Sequence, residues 1–264
     1  MKIKPENHTF VICAYKESPY LEECIRSLKN QSVRTNLRMA TSTDNGHIRA
    51  LAEKYGIPLD INPGPGGITQ DWNFAYSRAG TPLITLAHQD DVYCRDYAKE
   101  ILACAARAKR PLILFSDYGE IRNGARVREN MLLKIKRMML IPLEFGALSG
   151  SRFVRRRILS FGNPISCPAV TYARENLPEP VFSDGYTCVE DWQAWERLSR
   201  LNGSFVYVNS PLMYHRIHED SETSKVLGDH ARMQEDFEMF CRFWPKPVAK
   251  LLVKAYGSAE KSNG

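Results

Sequence analysis

The chain has 264 residues, 44% of them hydrophobic and 25% charged, and a formal net charge of +6. That is ordinary for a soluble globular protein of one large domain or two small ones. No apolar run approaches the ~20 residues of a membrane span, and the polar stretch Met1 to Asn7 has no signal-peptide core, so a cytoplasmic location is expected.

Strand and helix signals alternate through the first half. Residues 8–14 form an apolar, β-rich run. Ser18-Pro19 offers an N-cap followed by proline at the first helical position and predicts a helix to about Lys29. Residues 37–42 read as a second strand. Asp44 would cap a helix in which Ile48, Leu51, Ala52 and Tyr55 recur at helical spacing, with Gly56 as its stop. Residues 58–62 read as a third strand. The loop from Pro63 to Gly67 precedes a helix over about 69–78. Gly66 and Gly67 permit close backbone approach to a ligand, but no G-x-G-x-x-G or P-loop pattern exists, which weighs against dinucleotide binding and ATP hydrolysis. Residues 83–87 and 112–116 read as buried strands on either side of a helix over 97–108. This alternation predicts βαβ units and a mostly parallel sheet. Right-handed crossovers would bring Tyr15, Thr41 and Asp90 to one edge.

The second half is more basic. The positive charge concentrates between Arg122 and Arg157, including Arg126, Arg128, Lys134, Lys136, Arg137 and Arg152. Such a patch favours anionic partners (nucleotides, phospholipid surfaces or nucleic acid) without separating them. Residues 124–142 are also Met-rich and suggest an amphipathic helix, either core-facing with a solvated basic face or laid on a membrane. Helices are expected over 191–201 and 234–243, a strand over 205–208, and a frayed end over 257–264. No repeat or linker divides the chain, so a single domain over 1–264 is expected. The seven cysteines are scattered and form no C-x-x-C pair, which excludes a zinc or redox motif of that type and suits small buried hydrophobes.

His88-Gln89-Asp90-Asp91 follows the strand at 83–87. Adjacent carboxylates at a strand end repel one another unless a cation sits beside them, and ligands of open α/β sheets bind at that edge. A divalent metal held by carboxylates in turn suggests a phosphate ligand. The alternative is an acidic turn that caps the next helix.

Six short motifs, in order, resemble family 2 glycosyltransferases over about residues 8–225. Val11 to Glu17 occupies the place of the family's strand followed by P-T-Y-N, and Trp72-Asn73-Phe74-Ala75 looks like its R-N helix. His88 to Asp91 matches D-A-D-D, and Val189-Glu190-Asp191-Trp192 matches the E-D motif. Gly162-Asn163-Pro164-Ile165 with Pro168-Ala169-Val170 is similar to the acceptor-side loop, and Tyr214 to Ser221 to the Y-R-x-H-x-x-S stretch.

The resemblance implies the GT-A fold, an α/β architecture with a Rossmann-like, mostly parallel sheet and an elaborated C-terminal acceptor half. It implies inverting transfer from a nucleotide-diphosphate sugar, uridine specificity, and Mn²⁺ or Mg²⁺ to offset charge on the leaving diphosphate. Residues 8–120 would then bind the donor, 121–225 would hold acceptor and catalytic groups, and 226–264 would form C-terminal helices. Asp90 is the first metal ligand, Asp91 the second, and His218 would complete the shell or, with Arg216, meet the diphosphate; a lone histidine is also commonly structural. The chain departs from the family at His88, where an acid is usual; histidine can still ligate manganese or orient a neighbour. Asp191 is the candidate base that takes the acceptor proton, although Glu190 and Asp191 also suit the first turn of a helix. Ala14, Tyr15 and Glu17 would lie over the base and ribose, with Gln89 beside them. Thr41 and Ser42 replace the acid that usually reads uracil, or Asp44 reaches in. Asn73 would anchor a loop beside the donor or be a surface amide. Glu190 and Trp192 would meet the acceptor, a glycan or lipid-linked glycan of polysaccharide biosynthesis, although tryptophans at 192 and 195 equally suit a core. Peripheral membrane contact through 122–157 is compatible with this reading. A nucleic-acid-binding module is the alternative, unsupported by any recognised motif. Nucleotidyl transfer is a third, weakened by the lack of a Gly-rich loop after the first strand.

Overall fold

The computed structural model describes residues 3–218 and 229–261. β1 (His8–Ala14) lies between β2 (Asn36–Thr41) and β4 (Leu83–His88), both parallel to it, and β3 (Leu59–Ile61) extends the sheet beyond β2. Their carboxyl ends therefore share one edge. β1 is buried along nearly its whole length rather than on alternate residues, because helices cover both faces of the sheet. Phe10 and Ile12 belong to one apolar cluster and Val11 to another, as the two-residue period of a strand requires.

The helices between these strands start and stop for local reasons. α1 (Leu21–Lys29) begins after the Ser18-Pro19 signal, and Ser18 Oγ accepts from the Tyr20 N–H at 3.3 Å. α2 (Gly46–Tyr55) is capped by Asn45, whose side chain accepts from the Ile48 N–H at 3.0 Å, while Asp44 pairs with Arg49 instead. Gly56 ends α2 in the left-handed region, as expected. α3 (Ile68–Arg78) follows Gly67, whose φ of +147° favours glycine.

Beyond β4 the sheet continues through β8 (Val170–Ala173), antiparallel to both β4 and β6 (Pro111–Arg122). β9 (Ser204–Ile217) runs parallel to β6, and β5 (Val92–Tyr93) closes the far edge, antiparallel to β9. β7 (Ala125–Val127) pairs back on β6. Six strands point one way, and β5, β7 and β8 oppose them. α4 (Tyr97–Arg107) joins β5 to β6.

Two strands outrun their sequence signals. β6, expected over 112–116, continues through Asp117 and Glu120, which are buried but paired. Arg137 Nε donates to Asp117 at 2.7 Å, and Arg122 Nε and Asn130 Nδ2 donate to Glu120 at 2.7 and 2.8 Å. β9, expected over 205–208, absorbs Pro211 at a register shift against β6 and continues to Ile217.

α5 (Met131–Glu144), α6 (Gly146–Ser149) and α7 (Arg152–Leu159) fill the basic segment. Asn130 caps α5 by accepting from the Leu133 N–H at 2.8 Å, and Ser151 caps α7. Arg155 of α7 is almost fully buried. Its Nη2 donates to the carbonyls of Ser199 (3.1 Å) and Leu201 (2.8 Å), fastening α7 to the end of α8 (Glu190–Ser199). α9 (Asp229–Cys241) and α10 (Lys246–Lys261) complete the described chain. The expected fraying from 257 is not found up to Lys261; residues 262–264 lie outside the described residues. None of the described helices is long and apolar enough to cross a membrane.

Candidate functional site

The carboxyl ends of β1, β2 and β4 open onto a cavity of about 580 Å³. Ala14, Tyr15 and Glu17 line it where β1 ends, Thr41 where β2 ends, and His88, Gln89 and Asp90 where β4 ends. Glu190, Asp191 and Trp192 line it from the start of α8, and His218 from beyond β9. Ser42, Asn73, Asp91 and Arg216 are not on its wall.

Gln89 ties the ends of β1 and β4 together. Its Oε1 accepts from the Tyr15 N–H at 2.9 Å, and its Nε2 donates to the Tyr15 carbonyl at 2.8 Å. The residues beside Thr41 are also fixed: Thr43 N–H donates to Thr41 Oγ1 at 3.0 Å, and Lys16 N–H to Thr43 Oγ1. His88 stacks on Trp72 with ring centroids 5.1 Å apart. Burial lowers the His88 pKa, and its Nε2 is shielded without a hydrogen-bond partner among the described residues.

The two neighbouring acids face different ways. Asp90 Oδ2 accepts from His218 Nε2 at 2.9 Å on the cavity wall. Burial would raise the Asp90 pKa, but the His218 hydrogen bond and the nearby His88 and His215 hold it below the usual carboxylate value. Asp91 is fully buried, and its Oδ1 accepts from His215 Nδ1 (3.1 Å) and the Arg216 N–H (2.9 Å). Burial alone would lower His215, but the charge and hydrogen bond of Asp91, with Asp90, carry it up to about 9. Arg216 braces this corner: Nε donates to the Asp90 carbonyl at 2.8 Å and Nη2 to Glu23 at 2.5 Å, with the guanidinium 4.3 Å from the Tyr20 ring centroid.

Asp191 sits in the first turn of α8. Oδ1 accepts from the Trp192 N–H at 2.6 Å and Oδ2 from Asn163 Nδ2 at 2.8 Å. Burial raises its pKa against these two hydrogen bonds, so the carboxylate is a stronger base than a solvated aspartate. Glu190 is 4% exposed, and burial, aided by the Asp191 charge, raises it to about 7. Trp192 is 1% exposed; its Nε1 donates to the Leu159 carbonyl at 3.1 Å, and its ring packs on Phe240 and Tyr256. Asn73 clamps a loop, its amide exchanging hydrogen bonds of 2.9 and 3.0 Å with the Phe182 backbone.

Several cavity residues were given no role at the site from sequence. Asp71 of α3 lines the cavity and accepts from Ser42 Oγ at 2.7 Å and Asn62 Nδ2 at 3.1 Å. Lys136 of α5 donates to the Tyr118 hydroxyl at 2.9 Å, and both line the cavity. His215 was noted only as part of a motif. The signal for Asp71 was weak but present: one turn into a helix, beside the Gly-rich loop. Cys13 and Cys167 also line the cavity, but burial raises both thiols, which makes them poor nucleophiles. Among the described residues no group of three or more His, Cys, Asp or Glu side chains is placed to hold a metal; Asp90 and His218 offer one oxygen and one nitrogen donor side by side. Glu219, Asp220 and Ser221 of the last sequence motif lie outside the described residues.

Residues 9–160 match the family described as Glycosyl transferase family 2. No curated protein matches the chain in sequence. Similar solved structures include S. aureus TarS residues 1–349 in complex with UDP-GlcNAc, at 13% identity and a TM-score of 0.61, covering 93% of this chain and 70% of that one. Another is glucosyl-3-phosphoglycerate synthase from Mycobacterium tuberculosis in complex with Mn²⁺, UDP and phosphoglyceric acid, at 14% identity and a TM-score of 0.53, covering 81% and 72%. The same enzyme with Mg²⁺ and UDP aligns at 12% identity, with a TM-score of 0.51 and coverage of 81% and 72%.

Proposed function

The chain belongs to glycosyltransferase family 2 and is a glycosyltransferase of GT-A fold, and from that premise we propose that it moves a sugar with inversion from a UDP-sugar to a hydroxyl of a glycan or lipid-linked glycan. The observation that carries this reading is the composition of the cavity wall: Asp90 with His218 at the end of β4, in a site that Asp191 also lines. UDP, UDP-GlcNAc, Mn²⁺ and Mg²⁺ in the similar structures support the choice of donor and cation.

In this reading Ala14, Tyr15, Glu17 and Thr41 receive the nucleoside, on a floor held rigid by Gln89. Asp90 and His218 would hold a divalent ion there. That ion, when bound, offsets the charge gathering on the departing diphosphate. Asp191, held by Asn163 and the Trp192 N–H and made more basic by burial, takes the acceptor proton as the hydroxyl attacks the anomeric carbon. Glu190 and Trp192 shape the acceptor side. The 1–264 chain acts as a single catalytic domain, working in the cytoplasm. Neither a nucleic-acid module nor nucleotidyl transfer is favoured by the family match.

A thermal-shift panel of nucleotide-diphosphate sugars, with and without Mn²⁺, tests the proposal. Ligands that bind only the folded state raise Tm by mass action. A UDP-sugar that shifts Tm only with metal is the expected result. A flat panel across all donors would overturn it.

A further inference from the structure

We propose that the face built from α5, α6 and α7 docks on an anionic lipid bilayer and so holds the cavity beside an acceptor carried in that bilayer; the acceptor clause rests on the transferase reading above, the docking does not.

α5 is apolar on two sides. Leu133, Leu140 and Leu143 face the core and are at most 3% exposed. On the other side Met131, Met138, Ile141 and Phe145 recur at helical spacing and are 67, 63, 47 and 62% exposed. A helix that only covers a core carries charge on its outer face. Of the five exposed residues of α5, only Lys134 and Glu144 are charged. The apolar surface continues past α5. Leu148 of α6 is exposed, and Phe153 of α7 is 70% exposed with the Arg157 guanidinium 5.6 Å from its ring centroid.

Charge accompanies this surface. Residues 122–161 carry ten Arg or Lys against Glu129 and Glu144, a net +8; the whole chain is +6, so all other residues together sum to −2. Some of the ten are spent internally, as Arg137 is on Asp117 and Arg156 on Glu196. Lys134, Arg152 and Arg157 are exposed beside the apolar side chains.

Apolar side chains flanked by cations match the boundary between acyl chains and phosphate headgroups. A second copy of the chain fits less well, because a two-fold contact through this face would set its cations against themselves. Nucleic acid fits less well too, since exposed Met, Ile and Phe gain little from a phosphate backbone. The same elements border the cavity: Lys136 of α5 lines it, as do Asn163 and Ile165 just after α7. Docking here would place that side of the cavity next to the headgroups.

The test is co-sedimentation of the full chain with phosphatidylcholine vesicles, with and without phosphatidylglycerol. Binding to the mixed vesicles, weakened by salt, is expected. Phe145→Ser with Phe153→Ser should lower vesicle binding about tenfold or more, with Tm and turnover on a water-soluble acceptor unchanged. Arg152→Glu with Arg157→Glu should lower binding to the phosphatidylglycerol vesicles alone. Wild-type protein that sediments with neither vesicle would overturn the proposal. So would a dimer in solution that the Phe145→Ser, Phe153→Ser variant separates, since the face would then be an interface between copies. Vesicle binding without any UDP-sugar turnover would leave the docking standing and remove the transferase reading.

Discussion

Asp191→Asn isolates the chemistry of the proposed base from the structure that holds it. Asparagine can keep the contact with the Trp192 N–H, now 2.6 Å, through its carbonyl oxygen. Its amide then meets the Asn163 amide, donor against donor, unless Asn163 turns over and gives up the 3.2 Å hydrogen bond it accepts from the Ile165 N–H. One hydrogen bond is exchanged or lost, and so is a negative charge in the first turn of α8; together these cost about 1–2 kcal/mol. Burial already disfavours that charge, which offsets part of the cost. The fold should therefore survive. Turnover has more to lose, because a positioned base contributes about 10²- to 10⁴-fold, or about 3–5 kcal/mol of barrier. The assay is UDP release at saturating donor and Mn²⁺, with donor affinity measured by calorimetry on the same preparation. Affinity should hold while kcat falls about a hundredfold or more. Wild-type kcat should rise with pH through a value above the ordinary carboxylate range, because the raised Asp191 must lose its proton to act. Turnover near wild type would refute the assignment. Parallel loss of affinity and turnover would make Asp191 a wall of the cavity rather than a base.

Asp90→Ala should weaken UDP binding about 10- to 100-fold in Mn²⁺ and little in its absence; an equal loss under both conditions, read by calorimetry, would make the Asp90–His218 contact purely structural. Glu190→Gln should alter how stability depends on pH. The folded chain holds the Glu190 proton up to about pH 7, whereas the unfolded chain releases it near 4.5, so this group's contribution is complete below 4.5 and is lost as pH rises through 7. The loss reaches up to about 3 kcal/mol, and the Tm advantage of the variant should grow between those pH values; a constant difference would contradict it. Asp71→Ala should release Ser42 and Asn62 together, costing about 1–3 kcal/mol and raising the donor KM more than it lowers kcat; unchanged Tm and KM would show that the pair is not needed.

The parts of the fold legible in sequence were those whose burial is continuous and whose ends are punctuated. β1 was found at its observed bounds because its apolar run is followed by polar residues, and the parallel order of β1, β2 and β4 brought Tyr15, Thr41 and Asp90 to one edge. β8 and β5 are too short to carry a period. β6 and β9 were cut short because Asp117, Glu120 and Pro211 look like strand breakers until their partners and a register shift are seen. α7 read as a basic surface, yet Arg155 is buried and serves three backbone carbonyls. At the cavity, neighbouring residues were legible as a group but not in direction. Nothing in the sequence says that Asp90 turns to the cavity and Asp91 into the interior, because the choice is made by His215 and Arg216 more than 120 residues away. Asp71 was missed for the same reason, its partners lying after β2 and β3.

Strand order has a consequence for how the protein reaches this shape. β4 is finished at His88, but its outer neighbour β8 begins at Val170, and β9, which covers β6, begins at Ser204. During synthesis the four parallel strands β1 to β4 are therefore complete while the mostly apolar edge Leu83 to Ala87 still waits for its partner from distant chain. Such non-local closure is slow, and an open apolar edge invites pairing with other chains. Fragments that stop before residue 170 should collect in aggregates, and yield of the whole protein should improve at temperatures that slow association more than they slow the arrival of β8.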